Sequence, residues 1–237
     1  MRQLLPTPVD DIDPLAVYAD AARSGRAGRP WVLANMVASV DGRAAVQGRT
    51  ARLSAAADRE VFMLLRTLAD VVLVGAGTVR AERYGPVRGG GRPPVAVVSR
   101  SLDLDWTSPL FSEAARPTEI LTCAAADPAR RARAAEVAEV IVAGEEQVDI
   151  RQALAELGAR GQEVVLCEGG PHLLGELVAA DLVDELCFTL APLLAGGAEP
   201  PLIVAPSLDP PRPLRMASLV EDDGALLARY VREADPA

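Results

Sequence analysis

With 237 residues, 50% of them hydrophobic, the chain can bury one sizeable core, while a formal net charge of -9 and 3% aromatic content exclude nucleic-acid phosphates, stacked bases and anionic membrane surfaces as natural partners. All 24 basic residues are arginine and the only histidine is His172, which excludes lysine Schiff bases, a Walker phosphate loop and multi-histidine metal sites, and leaves triad chemistry only if His172 is its base. Cys123, Cys167 and Cys187 are too scattered for a disulfide framework or a thiolate zinc site and read as small core residues; with no metal expected, the chemistry falls to a bound cofactor.

Residues 1–30 read as an N-terminal arm with one short helix, Asp13 as its N-cap, Pro14 at its first position, and Gly25 and Gly28 as stops. The N-terminus carries no signal peptide and no apolar stretch exceeds strand length, so the expected compartment is the cytoplasm. From Trp31 onward, residues 31–237 read as a single domain in which strands alternate with helices: Trp31–Val37, a helix after Ser54, Asp70–Val74, Pro94–Val98, Glu119–Leu121, a helix after Asp127, Val137–Val142 and a helix after Asp149. This last helix shows its core face at Ile150, Ala153, Leu154 and Leu157 and stops at Gly158. Glu163–Cys167 is a continuous apolar strand, Glu168-Gly169-Gly170-Pro171 a turn, and Leu173, Leu174, Leu177 and Val178 mark the next helix. Beyond Asp181 come Leu182–Leu190, Pro201–Ala205, Leu214–Val220 and Ala225–Val231, the last two joined by the hairpin signal Glu221-Asp222-Asp223-Gly224. The fold class is α/β, a mostly parallel sheet flanked by helices, with an antiparallel C-terminal hairpin.

Ligands of open α/β sheets bind outside the carboxyl ends of the strands. Two glycine turns stand there. In Val74-Gly75-Ala76-Gly77-Thr78-Val79, amides at Gly75 and Gly77 and the Thr78 hydroxyl can hold a phosphate; Gly169 and Gly170 make the same offer ahead of Pro171, His172, Leu173 and Leu174. Either turn alone is as readily a plain tight turn. The third glycine and the later acidic residue of a Rossmann fingerprint are missing. Ser99 and Arg100, after a strand, suit a ribose 2′-phosphate, against the plainer reading of a surface arginine. Asp41 and Glu82 are the candidate catalytic carboxylates, although Asp41-Gly42 also reads as a simple turn. Arg80, Arg83, Arg88 and Arg92 concentrate positive charge near the Gly/Arg/Pro-rich loop Tyr84–Pro94, as a phosphorylated substrate would require and as a solvated loop would also show.

Asn35-Met36-Val37-Ala38-Ser39-Val40-Asp41-Gly42-Arg43, Leu65-Arg66, Ala69-Asp70, Val74 to Val79, Ala81-Glu82, Glu168 to Pro171, Val183-Asp184-Glu185-Leu186 and Ala191 to Gly197 together resemble the pyrimidine reductase family of riboflavin biosynthesis, in order and spacing from about residue 31 to 231. The resemblance implies a dihydrofolate-reductase-like sheet that binds NADPH, with hydride passing to C1 of a ribosylamino-pyrimidine phosphate and opening the ribose to a ribityl chain. It implies that Val37, Thr78, Glu82, Ser99 and residues 170–176 contact NADPH, that Thr50, Arg66, Arg88 and Glu168 face the substrate, and that the protein is a homodimer. The chain departs from the family's Asp-Asp-Pro at Glu82-Arg83-Tyr84, and without H-x-E or P-C-x-x-C it carries no zinc deaminase. The same fold also admits reduction of dihydrofolate or another pterin, and nucleotide binding without catalysis.

Overall fold

The pleated backbone of a strand sends successive side chains to opposite faces of a sheet, so a run of β-branched and leucine residues apolar at every position needs cover on both sides. The computed structural model describes residues 1–19, 23–26, 28–88 and 93–232 and gives these runs that cover. In chain order the elements are β1 (Arg2–Leu5), α1 (Pro14–Tyr18), β2 (Trp31–Ser39), α2 (Ala56–Thr67), β3 (Val71–Gly75), α3 (Ala76–Glu82), β4 (Val95–Val98), α4 (Pro109–Ser112) and β5 (Glu119–Thr122). They continue with α5 (Pro128–Ala135), β6 (Glu139–Val142), α6 (Ile150–Ala159), β7 (Val164–Cys167), α7 (Pro171–Ala179), β8 (Glu185–Ala191), β9 (Leu214–Asp222) and β10 (Ala225–Arg232). The strands lie in one sheet, ordered β1-β9-β10-β8-β2-β7-β3-β4-β5-β6, parallel from β8 to β6 and antiparallel from β1 to β8.

The two faces carry separate cores. Leu33, Val72 and Val74 point to one, with Ala57, Val61 and Leu65 of α2. Val32, Ala34, Val71 and Leu73 point to the other, against Ile150, Ala153, Leu154 and Leu157 of α6 and Leu173, Leu174 and Leu177 of α7. Burying each such leucine contributes on the order of 1.5–3 kcal/mol. Asp13 caps α1 by accepting from the Leu15 amide at 2.9 Å, and Asp149 caps α6 through the Arg151 and Gln152 amides. The β9–β10 hairpin closes through Asp223 and Gly224, both at positive φ, as a two-residue turn between twisted strands demands. All three cysteines are buried.

Besides α1 ending at Tyr18, before Gly25 and Gly28, and α6 running through Gly158 to Ala159, three features differ from the sequence reading. The arm holds a strand as well as a helix: β1 adds to the free edge of β9, pairing Gln3 with Val220. Residues 201–205 do not form a strand; apart from a bridge between Pro201 and Arg43 they run outside the sheet, with the Val204 amide donating to the Pro171 carbonyl at 3.0 Å. Prolines at 200 and 201 lack the amide donors that a strand inside the sheet would need. The short α4 is the third, and the Tyr84–Pro94 loop falls partly, with Arg92, outside the described residues.

Segment 201–205 lies directly against α7. A Cβ built on Gly175 would meet the Val204 carbonyl oxygen at 1.9 Å, a backbone atom that no side-chain rotation can clear. Gly175→Ala is therefore expected to lose about 1–3 kcal/mol by overpacking. A thermal melt checks this.

Candidate functional site

The carboxyl ends of β2, β3, β4 and β7 open onto two cavities, of about 610 and 700 Å3, which share Gly75, Gly77, His172 and Leu173 and so form one bent cleft. The shared residues belong to the two glycine turns. In space these turns are bonded to each other: the Gly75 amide donates to the Gly169 carbonyl at 2.8 Å. A Cβ on Gly170 would come within 2.7 Å of Thr78 Oγ1, so glycine is what lets the first turns of α3 and α7 approach. Gly169, at φ +84, lies against the Met36 sulfur. Neither Gly75 nor Gly170, the N-caps of the two helices, has a side chain to satisfy the first amides.

The first cavity is lined on one side by Asn35, Met36 and Val37 of β2, and on others by Thr50, Ser54, Asp58, Phe62, Thr78, Glu82, Tyr84 and Glu168. Glu82 accepts the Thr50 amide at 2.8 Å and so ties the loop after β2 to α3. Behind this wall the Arg66 guanidinium grips Glu168 through two bonds, of 2.7 and 2.8 Å, and lies 4.1 Å from the Phe62 ring centroid. The Tyr84 hydroxyl accepts from Arg66 at 2.8 Å and donates to Glu168. Burial together with the neighbouring Glu168 charge pushes the Tyr84 phenol well above its ordinary pKa, so it stays protonated.

The second cavity is lined by Ser99, Arg100 and Ser101 after β4, by Arg80 of α3, and by Asp127 and Arg130 at the start of α5. Arg80 and Arg130 are braced by the carbonyls of Asp103 and Ser101, each at 2.9 Å. Three guanidiniums thus surround one concavity in an acidic chain, the arrangement that suits a phosphate.

Several candidates from the sequence meet here. Val37, Thr50, Gly75, Gly77, Thr78, Glu82, Glu168, Gly170, Pro171, His172 and Leu173 line the first cavity, and Ser99 and Arg100 the second. Others stand apart. Leu174 is buried in the core, and Gly169 lines neither cavity. Asp41 lies outside both; its carboxylate accepts from the Ser39 hydroxyl at 2.6 Å and from the Ala195 and Gly196 amides at 2.9 and 2.8 Å. These bonds, the Ser39 hydroxyl's above all, hold its pKa well below the usual carboxylate range. Arg88 points to the surface and pairs with Glu113 at 2.7 Å, and Arg80 turns away from the loop cluster into the second cavity. Asp58, Phe62, Tyr84 and Glu199 escaped the sequence reading as site residues. Only Tyr84 left a signal, as a departure from the family pattern.

Among the described residues no group of three or more histidine, cysteine, aspartate and glutamate side chains is arranged to hold a metal ion, and no helix is long and apolar enough to cross a membrane.

Comparison with known proteins places this cleft in a family. The chain is 34% identical over 180 residues to the 2,5-diamino-6-ribosylamino-4(3H)-pyrimidinone 5′-phosphate reductase of Methanothermobacter thermautotrophicus, covering 72% of this chain and 82% of the relative. It superposes on the crystal structure of a pyrimidine reductase-like protein of Corynebacterium diphtheriae with a TM-score of 0.77 at 27% identity, covering 87% of this chain and 93% of the other. Dihydrofolate reductase of Enterococcus faecalis, whose structure is a complex with NADP(H), shares the fold at a TM-score of 0.51 and 15% identity, over 86% of this chain and 97% of that one. The fold is thus dihydrofolate-reductase-like. Residues 30–224 match the RibD C-terminal domain, and the chain belongs to that family.

Proposed function

We propose that the protein is an NADPH-dependent reductase that converts a ribosylamino-pyrimidine 5′-phosphate to its ribityl product in riboflavin biosynthesis. The observation that carries this reading is the bent cleft: a guanidinium-lined cavity and a cavity walled by Glu82 and Glu168 meet at two mutually bonded glycine turns. The residues fit the cofactor. Ser99, Arg100 and Arg130 of the second cavity would hold the phosphorylated adenosine end of such a dinucleotide, and the amides at the glycine turns its pyrophosphate. When bound, NADPH would supply the hydride that C1 of the ribosyl group accepts. The chain's own residues hold the two reactants together, exclude water with Met36, Val37 and Phe62, and offer Glu82 and Glu168 as oriented acceptors.

One observation favours a second reading. Arg88, the cation that the resemblance assigns to the substrate side, sits at the surface, so a pterin without a phosphate also fits the first cavity. Following NADPH absorbance with the diamino-pyrimidinone phosphate, its deaminated uracil counterpart and dihydrofolate in parallel separates the readings. Turnover of either pyrimidine alone supports the first, turnover of dihydrofolate alone the second, and binding of NADPH without oxidation leaves a nucleotide-binding protein. Arg100→Ala is expected to raise KM for NADPH about tenfold and leave NADH unchanged, since a charge-assisted bond to the 2′-phosphate contributes on the order of 1.5 kcal/mol. Equal effects on both cofactors would remove Arg100 from that role. The proposal includes a cytoplasmic homodimer, and light scattering of the purified protein checks its mass.

A further inference from the structure

We propose that Tyr84 is the positioning residue of the first cavity: its hydroxyl, held between the Arg66 guanidinium and the Glu168 carboxylate, fixes Glu168 so that one acceptor position is presented to the substrate ring. The inference rests on the reading of this cavity as the substrate site.

Local chain geometry explains how the ring arrives there. Arg83, the C-cap of α3, adopts a left-handed conformation at φ 51 and ψ 54, and the Tyr84 amide donates back to the Val79 carbonyl at 3.0 Å. The chain reverses, and the Tyr84 ring stands 5.6 Å from the Arg66 guanidinium, which lies 4.1 Å from the Phe62 ring.

A hydrogen-bond count then shows what the hydroxyl does. A carboxylate offers about four acceptor positions. At Glu168, Oε1 receives Arg66 Nε, and Oε2 receives both Arg66 Nη2 and the Tyr84 hydroxyl. With Oε2 saturated, the remaining position is at Oε1. Arg66 alone could hold the carboxylate in its plane, but a bidentate pair can rock about the axis joining its two groups. The third bond, from Tyr84 just after α3 to the oxygen that Arg66 Nη2 also holds, removes that freedom. Because the phenol oxygen accepts a hydrogen bond from Arg66 Nη2, its own O–H is directed to Glu168. Only 3% of the Glu168 side chain is exposed, so a misplaced acceptor has little water to fall back on, and an N–H of a pyrimidine ring is the group it fits.

The test compares wild type, Tyr84→Phe, Glu168→Gln and the double variant, with kcat and KM for the ribosylamino-pyrimidine phosphate, the Kd of NADPH from its fluorescence, and a thermal melt for each. Tyr84→Phe is expected to raise KM for the pyrimidine about tenfold, a usual cost for a bond to a charged group, with NADPH affinity held. In the Glu168→Gln background the same change is expected to add nothing, because its effect runs through that carboxylate. An unchanged KM, a loss that adds in full in the double variant, or a parallel loss of NADPH affinity overturns the role. If wild type turns over no pyrimidine phosphate, the functional reading fails and this role with it; wild-type turnover with an indifferent Tyr84→Phe overturns the role alone.

Discussion

Glu185→Ala is expected to lose about 3–5 kcal/mol of folding stability, the usual cost of removing one partner from a buried ion cluster. Glu185 is fully buried on β8 and accepts from Arg23 through two bonds of 2.7 Å and from Arg229 at 2.6 Å, with the Trp31 indole at 3.3 Å. Removing it takes this carboxylate from two guanidiniums, themselves under a tenth exposed, between the arm and the sheet. The melting temperature is then expected to fall by roughly 10 °C, at a few degrees per kcal/mol for a chain of this size. A variant that melts within a degree or two of wild type would show that water reaches the cluster.

The same carboxylate sets an acid limit. Burial alone would raise its pKa, but the hydrogen bonds and charges of Arg23 and Arg229 outweigh burial and lower it. A lowered folded-state pKa means that the stabilisation is present above the unfolded value, roughly 4, and disappears as pH falls through the folded one. Wild type is accordingly expected to lose stability as it is acidified below that range. Glu185→Gln, with no charge to lose, shows a shallower slope from this site, measurable by denaturant titration at several pH values.

The second large effect is catalytic. Glu168→Gln preserves shape but turns one oxygen into an NH2 group, which confronts Arg66 with a donor and breaks the bidentate grip. In the proposed reaction kcat/KM for the pyrimidine is expected to fall about 100-fold, the cost of roughly 2.7 kcal/mol in transition-state binding. NADPH affinity is expected to hold, since the second cavity is lined by other residues. Wild-type kinetics in the variant would remove Glu168 from substrate recognition.

What could be read along the chain was what local rules govern. The period of α6, its Asp149 cap, the Asp-Gly hairpin turn and the apolar strands each depend on neighbours a few residues away, and the structure bears them out. The glycine turns were legible as turns at strand ends. Their mutual bond was not, because Gly75 and Gly169 meet only once β7 is inserted between β2 and β3. Segment 201–205 misled because a short apolar run reads alike whether it joins a sheet or packs on a helix, and here it packs on α7 against Pro171 and Gly175.

The sequence by itself determined the α/β class, the excluded chemistries and the family, since composition, period and motif spacing survive without a third dimension. Tertiary structure alone decided which charges do what. Glu168 finds Arg66 across 102 residues and Tyr84 across 84, Asp41 is drawn into holding a loop, and Arg88 is left at the surface. The physical reason is that a side chain's partners follow from strand order and crossover, whereas its conformation follows from its nearest neighbours in the chain.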